Sequence, residues 1–195
     1  AKVKSEELKE LKKKWGIQDK YVYFSWGRAG ASKGFEYVIK AMTLVAEKKP
    51  DSVLLLMLSL SPQYAQKRRE LLDLVGRIDT KNVIKVIPSL PYHELRTLLA
   101  AADCVVIPSV AEGFGFSAAE AAAMGKMVIA SNAGSLPEIV SGKHHFFESK
   151  NVPDLAEKMS KMLQQHFKET EQKRFGWDTC VEGYLTEYTR ILEKK

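Results

Sequence analysis

Apolar positions along the chain alternate between two periods. Over residues 5–15, Leu8, Leu11 and Trp15 fall on one face at helical spacing and predict a short amphipathic helix. Residues 21–26, Tyr-Val-Tyr-Phe-Ser-Trp, are β-branched and aromatic, and predict a strand by composition. Phe35, Val38, Ile39, Met42, Val45 and Ala46 then recur with helical period until Pro50. Residues 53–58 form an unbroken apolar run, the pattern of a strand buried on both faces. Helices are predicted again over 62–75 and 92–102, with strands over 83–87 and 104–107. The alanine-rich segment 117–124 predicts a helix, because alanine costs least to fix there. Gly125 ends it, and 127–130 reads as the next buried strand. A short helical turn at Pro137, a short segment around Phe146 and a long amphipathic helix over 152–167 follow. A polar stretch to Lys173 and a final helix over 178–192 complete the pattern.

Strand and helix alternate without a run of consecutive hairpins, which predicts an α/β fold: a doubly wound parallel sheet, Rossmann-like, with helices on both faces. The expected organisation is a single domain over 1–195, with 1–20 a lead-in helix and 178–195 a closing helix. Folds of this kind bind ligands beyond the carboxyl ends of their strands. Two glycine loops follow predicted strands and belong on that edge. One is Gly27-Arg28-Ala29-Gly30-Ala31-Ser32-Lys33-Gly34; the other is Glu112-Gly113-Phe114-Gly115-Phe116.

Composition changes this picture little. With 195 residues, 45% of them hydrophobic, the chain can bury a substantial core. No apolar run approaches the length of a bilayer span, and AKVKSEELKE does not read as a secretion signal, so the expected location is cytoplasmic, the cytoplasmic face of the membrane included. Cys104 and Cys180 give neither a disulfide framework nor a zinc site. The net charge of +6 raises nucleic acid as a partner. However, half of the excess lies in the first twenty residues, with seven Lys against four acidic residues, whereas 104–142 holds three Glu against one Lys. That distribution describes a solvated helix face and argues against nucleic acid.

The candidate chemistry lies in the two loops. Arg28 and Lys33, five positions apart beside glycines, suit a diphosphate: Arg clamps two oxygens and Lys adds a point charge. Taken alone they equally suit surface charges on a βα loop. The second loop leads into a helix N-terminus, whose first N–H groups lack internal partners and favour anions. Glu112 and Glu120 bracket it. A helical path between them would span about 12 Å. Glycosidase pairs stand roughly 5–5.5 or 6.5–9.5 Å apart, so two carboxylates gripping a longer ligand fit better. Ser117-Ala118-Ala119-Glu120 also has the form of a capping box, in which Ser117 caps the helix and Glu120 returns to the cap amide. Glu112 has no such structural role. Glu138 suits the first turn of a short helix. His93, His144, His145 and His166 show no metal-ligand spacing, and no Ser–His–Asp arrangement is legible.

Taken together, Gly27-Arg28, Lys33-Gly34, AADCVVIPS, the Glu112/Glu120 pair around Gly-Phe-Gly, MGKMVIASNAGSLPEIV and Phe175-Gly176-Trp177 resemble the large group-1 (GT4) family of retaining, nucleotide-sugar-dependent glycosyltransferases. The likeness runs from Tyr21 almost to the end. It implies a GT-B fold of two Rossmann-like domains, of which this chain is the C-terminal, donor-binding half; the N-terminal domain, with most of the acceptor site, is missing from this chain. Arg28 and Lys33 would correspond to the diphosphate-binding cations, Glu112 would lie at the donor sugar, and Glu120 would hold the ribose hydroxyls. Backbone groups of Phe114, Gly115, Phe116 and Ser117 would contact sugar and phosphate, and the loop near Leu90 the base. The resemblance implies a nucleoside diphosphate sugar as substrate, with no cofactor and no metal. Two other functions share these features: a nucleotide-sugar isomerase (epimerase) on the same fold, and a non-catalytic nucleotide-binding or scaffold subunit. The sequence departs from the family pattern at Ser59-Leu60-Ser61-Pro62, where a glycine-rich turn is usual, and at Ala133-Gly134-Ser135, where a glycine pair is usual.

Overall fold

The computed structural model describes residues 3–193, so positions 1–2 of the lead-in and 194–195 of the closing helix lie outside the described residues. Helix α1 (Ser5–Trp15) precedes the first strand, β1 (Tyr21–Gly27). Then come α2 (Phe35–Lys48), β2 (Ser52–Leu58), α3 (Ala65–Ile78), β3 (Ile84–Ile87), α4 (Tyr92–Ala101) and β4 (Cys104–Ile107). The second half adds α5 (Phe116–Ala123), β5 (Met127–Ser131), α6 (Leu136–Ile139), β6 (Lys143–Phe147), α7 (Val152–Leu163), β7 (Lys168–Glu169) and α8 (Trp177–Leu192). The sheet order is β3-β2-β1-β4-β5-β6-β7, parallel from β3 through β6, with β7 antiparallel at the edge. This is a doubly wound order that reverses between β1 and β4.

Alternation along each strand feeds two cores. Tyr23, Leu54, Leu56, Cys104, Val106 and Ile129 point to one face and pack with residues of α2, α3 and α7. Phe24, Leu55, Met57, Val105, Val128 and Ala130 point to the other, beneath α4, α5 and α6, where Leu11 and Trp15 of α1 also pack. All seven residues of β2 are buried, as its unbroken apolar run predicts. The buried Tyr23 hydroxyl donates to the Met159 carbonyl at 2.7 Å and ties α7 to the first strand.

Two elements after β6 depart from expectation, while the closing helix lies where it was expected. Helix α7 stops at Leu163, four residues early, because Gln165 turns left-handed at φ 60°. Residues 168–169 then pair with β6 as a short strand, from sequence with no strand pattern. The closing helix, α8, buries no residue. Trp177, Val181, Tyr184, Leu185, Tyr188, Ile191 and Leu192 line it at helical spacing and are all exposed. No helix among the described residues is long and apolar enough to cross a membrane.

Candidate functional site

The order reversal brings the carboxyl ends of β1 and β4 side by side, and these are the strands that lead into the two glycine loops. The loops are joined directly: the N–H of Val110 donates to the Ser32 carbonyl at 2.8 Å. Gly34 makes that approach possible, since a Cβ there would stand 2.1 Å from the Pro108 carbonyl oxygen. Lys33 and Glu112, 79 positions apart in sequence, meet across this seam. The Lys33 Nζ donates to Glu112 Oε2 at 2.7 Å. Only 18% of the lysine side chain and 15% of the glutamate side chain is exposed. The Ser109 hydroxyl donates to the same oxygen at 3.0 Å, and the Ser131 hydroxyl in turn holds the Ser109 carbonyl.

The backbone of Glu112 is fixed as firmly as its carboxylate. Its carbonyl accepts from the Ser135 N–H at 3.2 Å and from the Ser135 hydroxyl at 3.1 Å. Gly134, at φ +56°, lies so close that a Cβ would sit 2.4 Å from the Glu112 carbonyl oxygen. Ser109, Gly134 and Ser135 are the residues that sequence reasoning missed. The one available signal was Ala133-Gly134-Ser135 itself, which lacks the second glycine of the family pattern but keeps the one this contact needs.

Helix α5 begins at Phe116, with Gly115 in the left-handed region as N-cap and no side-chain capping bond. The expected capping box is therefore not formed. Ser117 lies inside the helix, one residue past its start, because the chain turns at Gly115, where φ is +94° and a Cβ would crowd Leu136. The N–H groups of Ala118 and Ala119 both reach the Gly115 carbonyl, which leaves those of Phe116 and Ser117 without a helical acceptor.

Glu120, one turn into α5, thus has no cap to serve. Its half-buried carboxyl is raised above the usual carboxylate range by burial, with no ion pair or hydrogen bond acting against that shift.

Arg28 is exposed, on the loop beside Lys33. Phe114 packs its ring 4.9 Å from Phe116 and 5.2 Å from Phe175, and Phe116 itself is 73% exposed. Leu90 lies on the same sheet edge but after β3, two strands from the reversal, and packs against the α4–α5 core. Strand spacing of about 4.8 Å places that loop roughly 10 Å from the β1 loop, within the span of one extended ligand. Among the described residues, no group of three His, Cys, Asp or Glu is placed to hold a metal ion.

The doubly wound, mostly parallel sheet, with the Lys33–Glu112 pair at its reversal point, has the Rossmann-like fold of the GT-B glycosyltransferases. Residues 8–176 match the glycosyl transferases group 1 family, and the chain belongs to it. A glycosyltransferase of Methanocaldococcus jannaschii is 29% identical over 203 residues, covering 96% of this chain and 50% of its own length. The chain thus spans about half the length of this curated relative. Among solved structures, the C-terminal domain of a group 1 glycosyl transferase (LpcC) from Francisella tularensis is 28% identical with a TM-score of 0.71, and the alignment covers 84% of each chain. Anabaena HepE, solved with UDP-glucose, has a TM-score of 0.75 at 22% identity, over 84% of this chain and 44% of its own.

Proposed function

We propose that this chain binds a nucleoside diphosphate sugar and positions it for transfer of the sugar, with retention and without a metal, to an acceptor. The observation that carries the reading is the Lys33–Glu112 pair, drawn together from two loops at the sheet reversal beside the open N–H groups of Phe116 and Ser117. Lys33, Arg28 and those N–H groups are one set of positive partners for a diphosphate. As the bond to the sugar breaks, charge builds on the diphosphate, and donors already in place stabilise it without reorganising. Glu112 faces the sugar hydroxyls and Glu120 the ribose. Backbone groups of Phe114 and Gly115 line the sugar side, and the loop at Leu90 lies at the base. Most of the acceptor site belongs to a further, N-terminal domain.

The reading is tested by melting the chain with UDP, GDP, ADP or TDP. At a hundred times the dissociation constant the matching nucleotide should add about 2.7 kcal/mol. That corresponds to roughly 5–10 °C for a domain of this size. No shift with any of the four at millimolar concentration refutes it.

A further inference from the structure

We propose that Glu112 is the resting counter-ion of Lys33 and the group that senses whether a bound diphosphate still carries its sugar; this rests on the donor-site reading above. The two ends of the ion pair differ in mobility. Glu112 stands on backbone clamped by Gly134 and Ser135, and the Ser109 hydroxyl holds its Oε2 from the side. Lys33 reaches that oxygen on a flexible four-carbon stem. An arriving diphosphate draws the ammonium away, while the clamped backbone and the Ser109 hydroxyl keep the carboxylate at its post. Glu112 is then left with the Ser109 hydroxyl alone, 15% exposed and close to the phosphate charges.

Such a carboxylate is costly unless new donors reach it. Sugar hydroxyls on the diphosphate are donors of that kind, and a bare diphosphate brings none. The intact donor therefore replaces what it removes from Glu112, whereas the sugar-free product does not. Once the sugar has left, the unpaired carboxylate pulls Lys33 back and loosens the product. The pair thus acts as a latch that favours donor over spent nucleotide, with no moving loop.

Calorimetric titration of the parent chain and Glu112→Gln with UDP, GDP and ADP, each with and without glucose or mannose attached, tests this. Glutamine keeps the shape and accepts from Ser109 but holds the lysine only through a neutral oxygen, without the charge. Glu112→Gln should bind the sugar-free diphosphate about tenfold tighter, the scale of one charge-assisted hydrogen bond, and the sugar nucleotide no tighter than the parent does. No gain for the bare diphosphate, or an equal gain for both ligands, overturns the latch while leaving the donor site standing. If the parent binds none of these ligands, the donor-site reading itself fails, and the latch with it. The parent gives a second readout that requires no variant. The carboxyl carbon resonance of Glu112 should move when diphosphate is added and move to a different position when the sugar nucleotide replaces it. A resonance that ignores both ligands overturns the proposal.

Discussion

Glu112 and Glu120 face the same edge of the sheet and are held in opposite ways. Glu112 is gripped at its carbonyl by Ser135 and at its carboxylate by Lys33 and Ser109. Glu120 is half-buried on α5, and burial alone acts on its carboxyl. One charge is stored already neutralised; the other is stored at a cost to folding. Folding therefore costs stability at Glu120, whereas at Glu112 the charge is already paired, and a ligand offering hydroxyl donors would offset the first cost.

The largest test of this contrast is the backbone clamp. Gly134→Ala forces a left-handed alanine against the Glu112 carbonyl, and should cost about 2–4 kcal/mol in denaturant melts. Gly113→Ala, one residue from Glu112 with open space at its Cβ, should stay within about 0.5 kcal/mol. Equal costs would mean that Glu112 is not clamped from behind.

Next in size is the ion pair. Lys33→Met leaves a part-buried carboxylate with one hydroxyl partner and should lose about 1–2 kcal/mol, between the values for exposed and fully buried pairs. Adding Glu112→Gln should restore most of that loss, and additive losses in the double variant would show that the two side chains are uncoupled.

Glu120→Gln should weaken binding of a ribonucleotide by about 1 kcal/mol and leave the deoxyribonucleotide unchanged. Its effect on stability has the opposite sign. A carboxyl raised by burial costs nothing below its unfolded pKa of 4.5; stability then falls as pH rises through the raised folded value. Glu120→Gln removes that loss, so the variant should melt above the parent at pH 7 and level with it at pH 3. A variant that melts below the parent at pH 7 would show that Glu120 has a structural partner. The smallest effect is expected at Ser117→Ala, within about 0.5 kcal/mol, since Ser117 does not cap α5. A loss of about 1 kcal/mol would restore the capping box.

The parallel sheet was legible because runs such as 53–58 need burial on both faces, and that requirement is written locally. The loops holding Arg28, Lys33 and Glu112 were legible by a different local signal, glycine and charge directly after a strand. The start of α5 was misplaced because Ser117 and Glu120 carry a genuine local capping signal, which Gly115 overrides by turning the chain against Leu136. Ser109, Gly134 and Ser135 left almost no trace, since their partners lie in other loops and their roles are to hold backbone. The strand at 168–169 is set by its neighbour β6 and not by its own polar residues.

The exposed stripe on α8 has a consequence for how that helix persists. Sixteen residues is near the length at which an isolated helix is only marginal in water, and α8 buries none of its residues against the rest of the fold. Its amides should therefore exchange with solvent far faster than those of β1, whose interior residues are fully enclosed. Whatever surface comes to cover Trp177, Tyr184 and Tyr188 would bury apolar area and set the helix in one step, so its contact would be read as protection along all of α8 at once.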